Sequence, residues 1–304
     1  MTQTVAVSGA SGFVGRVLCQ DLVRRGHRVV PLDRGALRAE SLAQVLRGAS
    51  VMIHLAARAH ILTETARDSD AAYREANLAL TQYLGRECRS AGVRRFVFVS
   101  SAGVLGAVSP TQGFDDETLP RPYDAYSRSK LESERWLQSE LRRTVEIEIV
   151  RPPLIYGPNA KGNLMRLMRV ALSGWPLPLG DLRAPRSMIG VRNFVDLLAA
   201  LVATDSPGGQ PMLAADRELT SVAELYGDVA RLAGHRPWLA PLPQSVIRAL
   251  LALAGRGSDI VRLTAPYVLR PSVAHKRLGW APPHSMEEEL RWTIAAELAA
   301  RRAP

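Results

Sequence analysis

Apolar positions in the first half of the chain switch between two periods. The stretches "TVAVSG", "HRVVPLD", "SVMIHLAA", "RRFVFVSS" and "VEIEIVRPP" are short β-branched runs of the kind that form buried strands. Between them, Val14 to Arg25, Ala39 to Arg47, Ala71 to Ala91 and Tyr126 to Arg142 carry their apolar residues at helical spacing. Strands that alternate with helices are joined by crossovers, so the expected fold class is α/β, a doubly wound parallel sheet with helices on both faces. After Arg151 the texture changes. Prolines cluster in "RPPLIYGP", "GWPLPLG", "HRPWLAPLP" and "WAPPHS", which predicts a smaller, irregular C-terminal lobe built of short elements.

Composition narrows the class without changing this picture. The 304 residues are 47% hydrophobic and 22% charged, as in ordinary soluble globular domains. The net charge of +10 is scattered along the chain without a long basic run, mostly as arginine, and Lys130, Lys161 and Lys276 are the only lysines. Scattered arginine reads as a solvated surface with a preference for an anionic small substrate, and no nucleic-acid partner is expected. Cys19 and Cys88 match no metal or redox spacing, which fits a reducing compartment and predicts no metal site. A first strand that begins by Thr4 leaves no room for a signal peptide, and "VIRALLALAG" is too short to span a bilayer and carries Arg248. A cytoplasmic protein without a membrane partner is expected.

The first candidate chemistry is "VSGASGFVG". Gly9, Gly12 and Gly15 sit between the first strand and the first helix, where glycines allow a tight turn, close approach to a pyrophosphate and close helix packing. Ser11, Phe13 and Val14 complete the turn, and the helix N-terminus offers unpaired N–H groups and partial positive charge to a phosphate. Asp33 ends the second strand, where a carboxylate can accept hydrogen bonds from an adenosine ribose. Arg34 follows it and could pair instead with a 2′-phosphate. NAD is therefore the expected cofactor, with NADP left open. These features predict a dinucleotide-binding Rossmann domain over residues 1–150, which also holds the catalytic residues. Residues 151–304 form mainly a substrate lobe, some segments of which return to the Rossmann core.

The second is "YSRSK". Tyr126 and Lys130 lie four apart on a predicted helix and so share a face, where an ammonium near the phenol lowers its pKa toward neutrality. The strand before that helix ends in "VSSAGVLG". Serines at the carboxyl end of a parallel strand face the ligand crevice, so Ser101 is placed to hold a substrate oxygen beside Tyr126.

With these residues in place, the chain resembles the extended short-chain dehydrogenase/reductases, in particular the NAD-dependent epimerase/dehydratase group that acts on nucleotide sugars. "SGASGFVG", "IHLAA", "YREANLALT", "FVFVSSAGVLG", "YSRSK", "VRPPLIYGP", "RSMIGVRNFVD" and "HKRLGWAP" occur in the family's order. The resemblance implies that Tyr126 is the catalytic acid/base, that Lys130 lowers its pKa and holds the nicotinamide ribose, and that Ser101 is the ligand of the substrate oxygen. Asn77 would maintain a proton relay. Leu55, Ala56, Ala57 and Pro153 would line the cofactor, as would His54 unless it is a structural strand-end histidine. Arg186 looks like the diphosphate-binding arginine, and Asn163 is either a diphosphate contact or a helix N-cap. Arg151 and Asp196 are assigned structural roles.

Departures from the family pattern carry information too. The stretch "DRGALRAES" has lost most of a strand and loop, and Ala36 falls near the position of an adenine-contacting aspartate. Leu105 replaces a tyrosine, which is expected to alter the wall of the sugar pocket. Ala102 and Gly103 stand where 4,6-dehydratases carry an acidic pair, so water elimination lacks its acid and base and dehydratase activity is not expected. The leading expectation is redox chemistry at C4 of a UDP-linked hexose, as epimerisation through a transient ketone or as reduction of a 4-keto sugar. The alternatives are a reductase of a non-nucleotide ketone and a cofactor-binding redox sensor without turnover. Helices near 71–91 and 126–142 are expected to pair two copies into a homodimer.

Overall fold

A computed structural model describes residues 2–33, 35–38, 41–58, 69–160, 162–177, 180–240, 242–243, 245–247, 249, 261 and 264–302. The alternating pattern of the first half becomes β1 (Thr4–Ser8), α1 (Phe13–Arg24), β2 (Arg28–Leu32), α2 (Leu42–Val45) and β3 (Val51–His54). Then come α3 (Ser69–Tyr73), a π-helical segment (Arg74–Ala79), α4 (Leu80–Ser90), β4 (Arg95–Val99), β5 (Phe114–Asp115), α5 (Ala125–Trp136) and β6 (Glu146–Arg151).

Six strands form one parallel sheet in the order β2-β1-β3-β4-β6-β9, with the last strand, β9 (Met212–Leu213), contributed by the C-terminal half. The two-residue period decides which face each side chain joins. Val5 and Val7 of β1, Val51 and Ile53 of β3 and Val97 of β4 pack with Leu18 and Leu22 of α1. Phe194, Leu197, Leu198 and Leu201 of α7 (Val191–Ala203) belong to the same cluster. The intervening Ala6, Met52, Phe96 and Phe98 point the other way, against Leu42 of α2 and Leu84 and Cys88 of α4. This is the doubly wound Rossmann arrangement. Because the chain runs from β1 outward to β2 and then back to β3, the winding reverses between β1 and β3, and the crevice beyond their carboxyl ends is where such sheets bind ligands.

Two expectations change in detail. The predicted long helix from Ala71 to Ala91 contains the π-helical segment Arg74–Ala79, and a second, Leu137–Leu141, ends the helix begun at α5. The predicted strand through "VEIEIVRPP" stops at Arg151; after Pro152 and Pro153 the chain enters a separate strand, β7 (Leu154–Tyr156). Between Asp33 and Ser41 the described residues make only a 3₁₀ turn, Ala36–Arg38, so β2 is an edge of the sheet.

The C-terminal lobe is built from β7, α6 (Asn163–Leu172), β8 (Arg186–Gly190), β10 (Leu219–Thr220) and α8 (Val222–Leu232). β11 (Leu269–Arg270) pairs with β5 and α9 (Val273–Leu278) packs into the core of the Rossmann sheet, whereas α10 (Met286–Arg302) completes the lobe. Its core joins Met165 and Met168 of α6, Leu225, Tyr226 and Val229 of α8, and Leu290 and Ile294 of α10. Asp216, following β9, ties it to the sheet by accepting from Tyr156 Oη at 2.9 Å, Gly190 N at 2.9 Å and Asn193 Nδ2 at 2.8 Å.

Candidate functional site

The glycine turn is held by contacts that no side chain can share. Gly9 has φ +73, and a Cβ on it would lie 2.9 Å from Ala56 N. A Cβ on Gly15 would lie 2.1 Å from Gly9 O, and one on Gly12 would lie 3.0 Å from the same oxygen. Gly12 N donates to Gly9 O at 2.9 Å and is followed directly by α1, whose N-cap Gly12 has no side chain to satisfy the first-turn N–H groups. The turn therefore presents backbone donors and the positive end of a helix at the β1/β3 crevice, the features that hold an anionic diphosphate. Ser11 and Phe13 flank the turn, and Arg16 Nη1 donates to Ser11 O at 2.9 Å. Leu55, Ala56 and Ala57 leave the end of β3 half-buried beside Gly9, and Pro153 is half-buried between β6 and β7.

Asp33 lies exposed at the end of β2, and its Oδ1 accepts from Ala36 N at 2.8 Å, capping the 3₁₀ turn. The expectation for Arg34 lies outside the described residues.

A buried polar chain runs from this crevice toward α5. Ser8 Oγ and His54 Nδ1 lie 2.6 Å apart, and His54 Nε2 lies 3.1 Å from Thr81 Oγ1. Thr81 Oγ1 donates to Asn77 O at 2.7 Å. His54 is buried and its pKa lies well below the ordinary value, first because burial disfavours the imidazolium and then because of the Lys130 charge. Both ring nitrogens of His54 are thus engaged by neighbouring side chains.

Asn77 lies in the π-helical segment and is buried. Its Oδ1 accepts from Arg58 N at 2.8 Å, and its Nδ2 donates to Arg58 O at 3.3 Å and to Ser129 Oγ at 2.9 Å. Ser129 Oγ donates onward to Tyr126 O at 2.7 Å. The amide thereby ties the segment leaving β3 to the helix that carries Tyr126 and Lys130. Tyr73 meets the Tyr126 ring edge-on at 6.2 Å, and the Arg58 guanidinium lies 5.5 Å from the centroid of Tyr73.

Lys130 is buried on α5. Its Nζ donates to Val99 O at 2.9 Å and stands 4.6 Å from the centroid of Phe98, which pins the helix over the end of β4. Burial pulls its pKa down to about 7, with Glu134 opposing. For Tyr126, the expected lowering by the neighbouring ammonium is not what the chain shows. Burial first, then the negative charge of Asp124 and the phenols of Tyr73 and Tyr123, push this phenol above its ordinary value. Lys130 gives one of its N–H donors to Val99 O.

Ser101 is the N-cap of a 3₁₀ turn, Ala102–Leu105, and its Oγ accepts from Gly103 N at 3.0 Å. A Cβ on Gly103 would lie 3.2 Å from Ser101 Oγ, 3.7 Å from Ser127 Cβ and 3.8 Å from Tyr123 Cε1, so this turn abuts the first turn of α5. The neighbouring Ser100 turns inward, where its Oγ donates to Glu134 Oε1 at 2.5 Å. Glu134 also accepts from Arg151 Nε at 3.0 Å and Nη2 at 2.6 Å in a buried fork, the structural place foreseen for Arg151. Asp196 likewise pairs with Arg25 at 2.6 Å and accepts from Trp280 Nε1 at 2.8 Å. Leu105 corrects an expectation: it is buried in a core cluster with Val104, Phe114, Leu131 and Leu269, not set into a pocket wall.

Arg186 begins β8, donates from Nη2 to Ala265 O at 3.1 Å, and keeps its Nε buried without a hydrogen-bond partner. Burial lowers its pKa, while the Tyr267 and Tyr123 hydroxyls oppose. Asn163 is not an N-cap. Gly162, with φ +101, takes that position, and Asn163 is the exposed first residue of α6.

The elements thus bring Ser101, Tyr126, Lys130 and Asn77 around α5 and set the glycine turn at the adjoining strand ends. Ser8, Arg58, Tyr73, Thr81, Asp124 and Ser129 were not foreseen. Of these only Asp124 left a local trace, an acid three residues before Ser127 at the head of a helical pattern. Among the described residues, no group of His, Cys, Asp and Glu is arranged to hold a metal ion, and no helix is long and apolar enough to cross a membrane.

Comparison with known proteins agrees with this geometry. A UDP-glucose 4-epimerase of Vibrio cholerae is 30% identical over 318 residues, covering 99% of this chain and 97% of that protein. A 4-hydroxy-2-methyl-3-oxo-4-farnesyl-3,4-dihydroquinoline-1-oxide ketoreductase of Stigmatella aurantiaca is 28% identical, covering 90% of this chain and 91% of its own. Among solved structures, MoeE5 in complex with UDP-glucose and NAD superposes with a TM-score of 0.79 at 25% identity, covering 98% of this chain and 99% of that one. The family model for the NAD dependent epimerase/dehydratase family matches residues 5–213, and with the glycine turn, the Tyr126–Lys130 helix and the parallel sheet in register with it, the chain belongs to that family.

Proposed function

We propose that the protein is an NAD(P)-dependent oxidoreductase or epimerase acting at C4 of a nucleotide-linked hexose, with UDP as the nucleotide. One observation carries this reading: the glycine turn at the end of β1 and the helix bearing Tyr126 and Lys130 lie at the carboxyl ends of β1 and β4, the two strands that flank β3, with Lys130 fixed to Val99 at the end of β4. The residues fit a dinucleotide. Gly9, Gly12 and Gly15 form a cradle that a Cβ would fill, the uncapped α1 terminus supplies donors for the diphosphate, and Asp33 stands at the end of β2 for a ribose. The NAD of MoeE5 supports the choice of cofactor.

When bound, the cofactor supplies the site with reversible hydride transfer. The chain does the rest. Tyr126 gives or takes the hydroxyl proton at its Oη, Ser101 Oγ orients the sugar oxygen, and Lys130 holds the cofactor ribose. Asn77 keeps α5 in register with the β3 exit through Ser129. Arg186, whose Nε is buried without a partner, binds the substrate diphosphate. Asn163, exposed at the start of α6, is assigned to the same group. With Ala102 and Gly103 in place of acids, the site has no pair to eliminate water. The helix pair α4 and α5 is the face on which we expect two copies to associate, which sedimentation would report as twice the chain mass.

Incubating the purified protein with NAD and UDP-hexoses, and with NAD(P)H and a UDP-4-keto-hexose, tests the reading. Interconversion without net cofactor change identifies an epimerase, and stoichiometric NAD(P)H consumption a ketoreductase. Loss of neither activity in Tyr126→Phe would remove Tyr126 from the reaction and favour a redox sensor. A second reading, reduction of a non-nucleotide ketone, is favoured by the ketoreductase relative. It predicts that UDP does not raise the melting temperature, since only a ligand of the folded state stabilises it.

A further inference from the structure

His54 is the last residue of β3, two positions before Ala56, and its ring lies edge-on to Phe96 at 6.0 Å and tilted against Phe98 at 5.6 Å. For packing alone a phenyl ring would serve in such surroundings. An imidazole adds two nitrogens that each need a partner once water is excluded, so the reason for histidine lies in what those nitrogens hold.

The hydrogens of this network can be placed by counting. Thr81 Oγ1 carries one hydrogen and gives it at 2.7 Å to Asn77 O, which can only accept. Toward His54 Nε2, 3.1 Å away, the same hydroxyl is left to accept, so Nε2 bears the ring proton. In the neutral ring Nδ1 is then bare, and it takes the hydrogen of Ser8 Oγ at 2.6 Å. Ser8 Oγ in turn accepts from Ala56 N at 3.4 Å, and Ala56 N is the atom that a Cβ on Gly9 would strike at 2.9 Å. Ser8, His54, Asn77 and Thr81 are all buried. Every donor in the chain therefore points the same way, from the backbone beside the glycine turn, through the imidazole, to the segment that carries Asn77. The other tautomer would set two lone pairs against each other at Thr81.

We propose that His54, fixed by Thr81 as its neutral Nε2–H tautomer, is a positioning residue that holds Ser8 and the exit of β3 in the arrangement the dinucleotide turn requires. This rests on the reading of the glycine turn as the seat of NAD. Ser8 is the link to the turn, and Thr81 is the anchor that decides which ring nitrogen carries the proton.

Histidine-selective isotope labelling of the full chain without cofactor reads the tautomer by proton–nitrogen correlation, with the His54 signal identified by its shift in Ser8→Ala. A proton on Nε2 and a bare Nδ1 are expected at neutral pH. Thr81→Val should lose that pattern and Thr81→Ser, which keeps the hydroxyl, should retain it. A proton on Nδ1 in the wild-type chain, or an unchanged pattern in Thr81→Val, overturns the proposal. Calorimetry with NAD tests the positioning. Ser8→Ala and His54→Phe, the second of which keeps an aromatic ring between Phe96 and Phe98, are each expected to weaken NAD binding about fivefold, the worth of one hydrogen bond. A merely structural histidine would lower the unfolding midpoint in these variants and leave NAD affinity where it was, and should His54→Phe fail to fold, Ser8→Ala decides. Wild-type affinity in Ser8→Ala overturns the proposal alone, whereas a wild-type chain that binds no NAD overturns the reading of the glycine turn and the proposal with it.

Discussion

Asn77 donates a side-chain N–H to Ser129 at 2.9 Å, and through Ser129 reaches the backbone carbonyl of Tyr126. Asn77 sits in the π-helical segment, and its backbone carbonyl accepts from Leu80 N–H and the Thr81 hydroxyl. Both ends of the amide are occupied by protein, and they link the exit of β3 to α5.

Asn77→Ala leaves the Arg58 backbone and Ser129 without their buried partner, and is expected to cost about 1–3 kcal/mol in urea unfolding. Ser129→Ala should cost less, because one hydroxyl is lost and Asn77 keeps Arg58. Turnover should fall in both with dinucleotide affinity retained, measured by calorimetry.

The buried fork between Arg151 and Glu134 makes an asymmetric prediction. Arg151→Ala strands a carboxylate that is otherwise 2% exposed and should destabilise the protein by about 3–5 kcal/mol. Replacing both residues by apolar ones of similar volume should recover much of that stability, which a double-mutant cycle in denaturant resolves.

Lys130 gives a pH dependence of definite sign. Its folded pKa of about 7 lies below the ordinary 10.5. Between these values the unfolded chain holds a proton that the native chain has released. Without added cofactor, stability should therefore rise with pH across that window, by up to about 1.4 kcal/mol per pH unit, and the cost of burying the charge is fully present below it. Lys130→Met should flatten that rise in melting temperature. An unchanged slope would mean that Lys130 is not the group that titrates.

Gly15→Ala places a methyl 2.1 Å from Gly9 O, where the backbone on both sides must move. It is expected to unfold well below the wild-type melting temperature and to lose dinucleotide binding. Gly12→Ala, at 3.0 Å from the same oxygen, should fold and bind more weakly.

The sheet, its glycine turn and the Tyr126–Lys130 helix were legible because each leaves a short-range signal: β-branched runs of period two, glycine between strand and helix, and spacing of four on a helical face. The connections were not. His54 meets Thr81, and through it Asn77, only through the packing of β3 against the helix that carries both, and nothing local distinguishes a helix that will widen at Arg74 from one that continues unchanged. Leu105 misled for a related reason. A substitution read against a family pattern says what is missing, whereas its burial beside Phe114 and Leu131 depends on neighbours distant in sequence.

The shortened passage after β2 has a consequence for how molecules meet. Among the described residues no further strand lies outside it, so β2 would be a template for a neighbour's backbone, yet it carries Pro31, which has no amide hydrogen to give, and an exposed Arg28. The opposite margin, β9, is two residues long. Neither border lets a foreign strand zip onto the sheet, so copies of this protein at high concentration should stay free of β-fibrils.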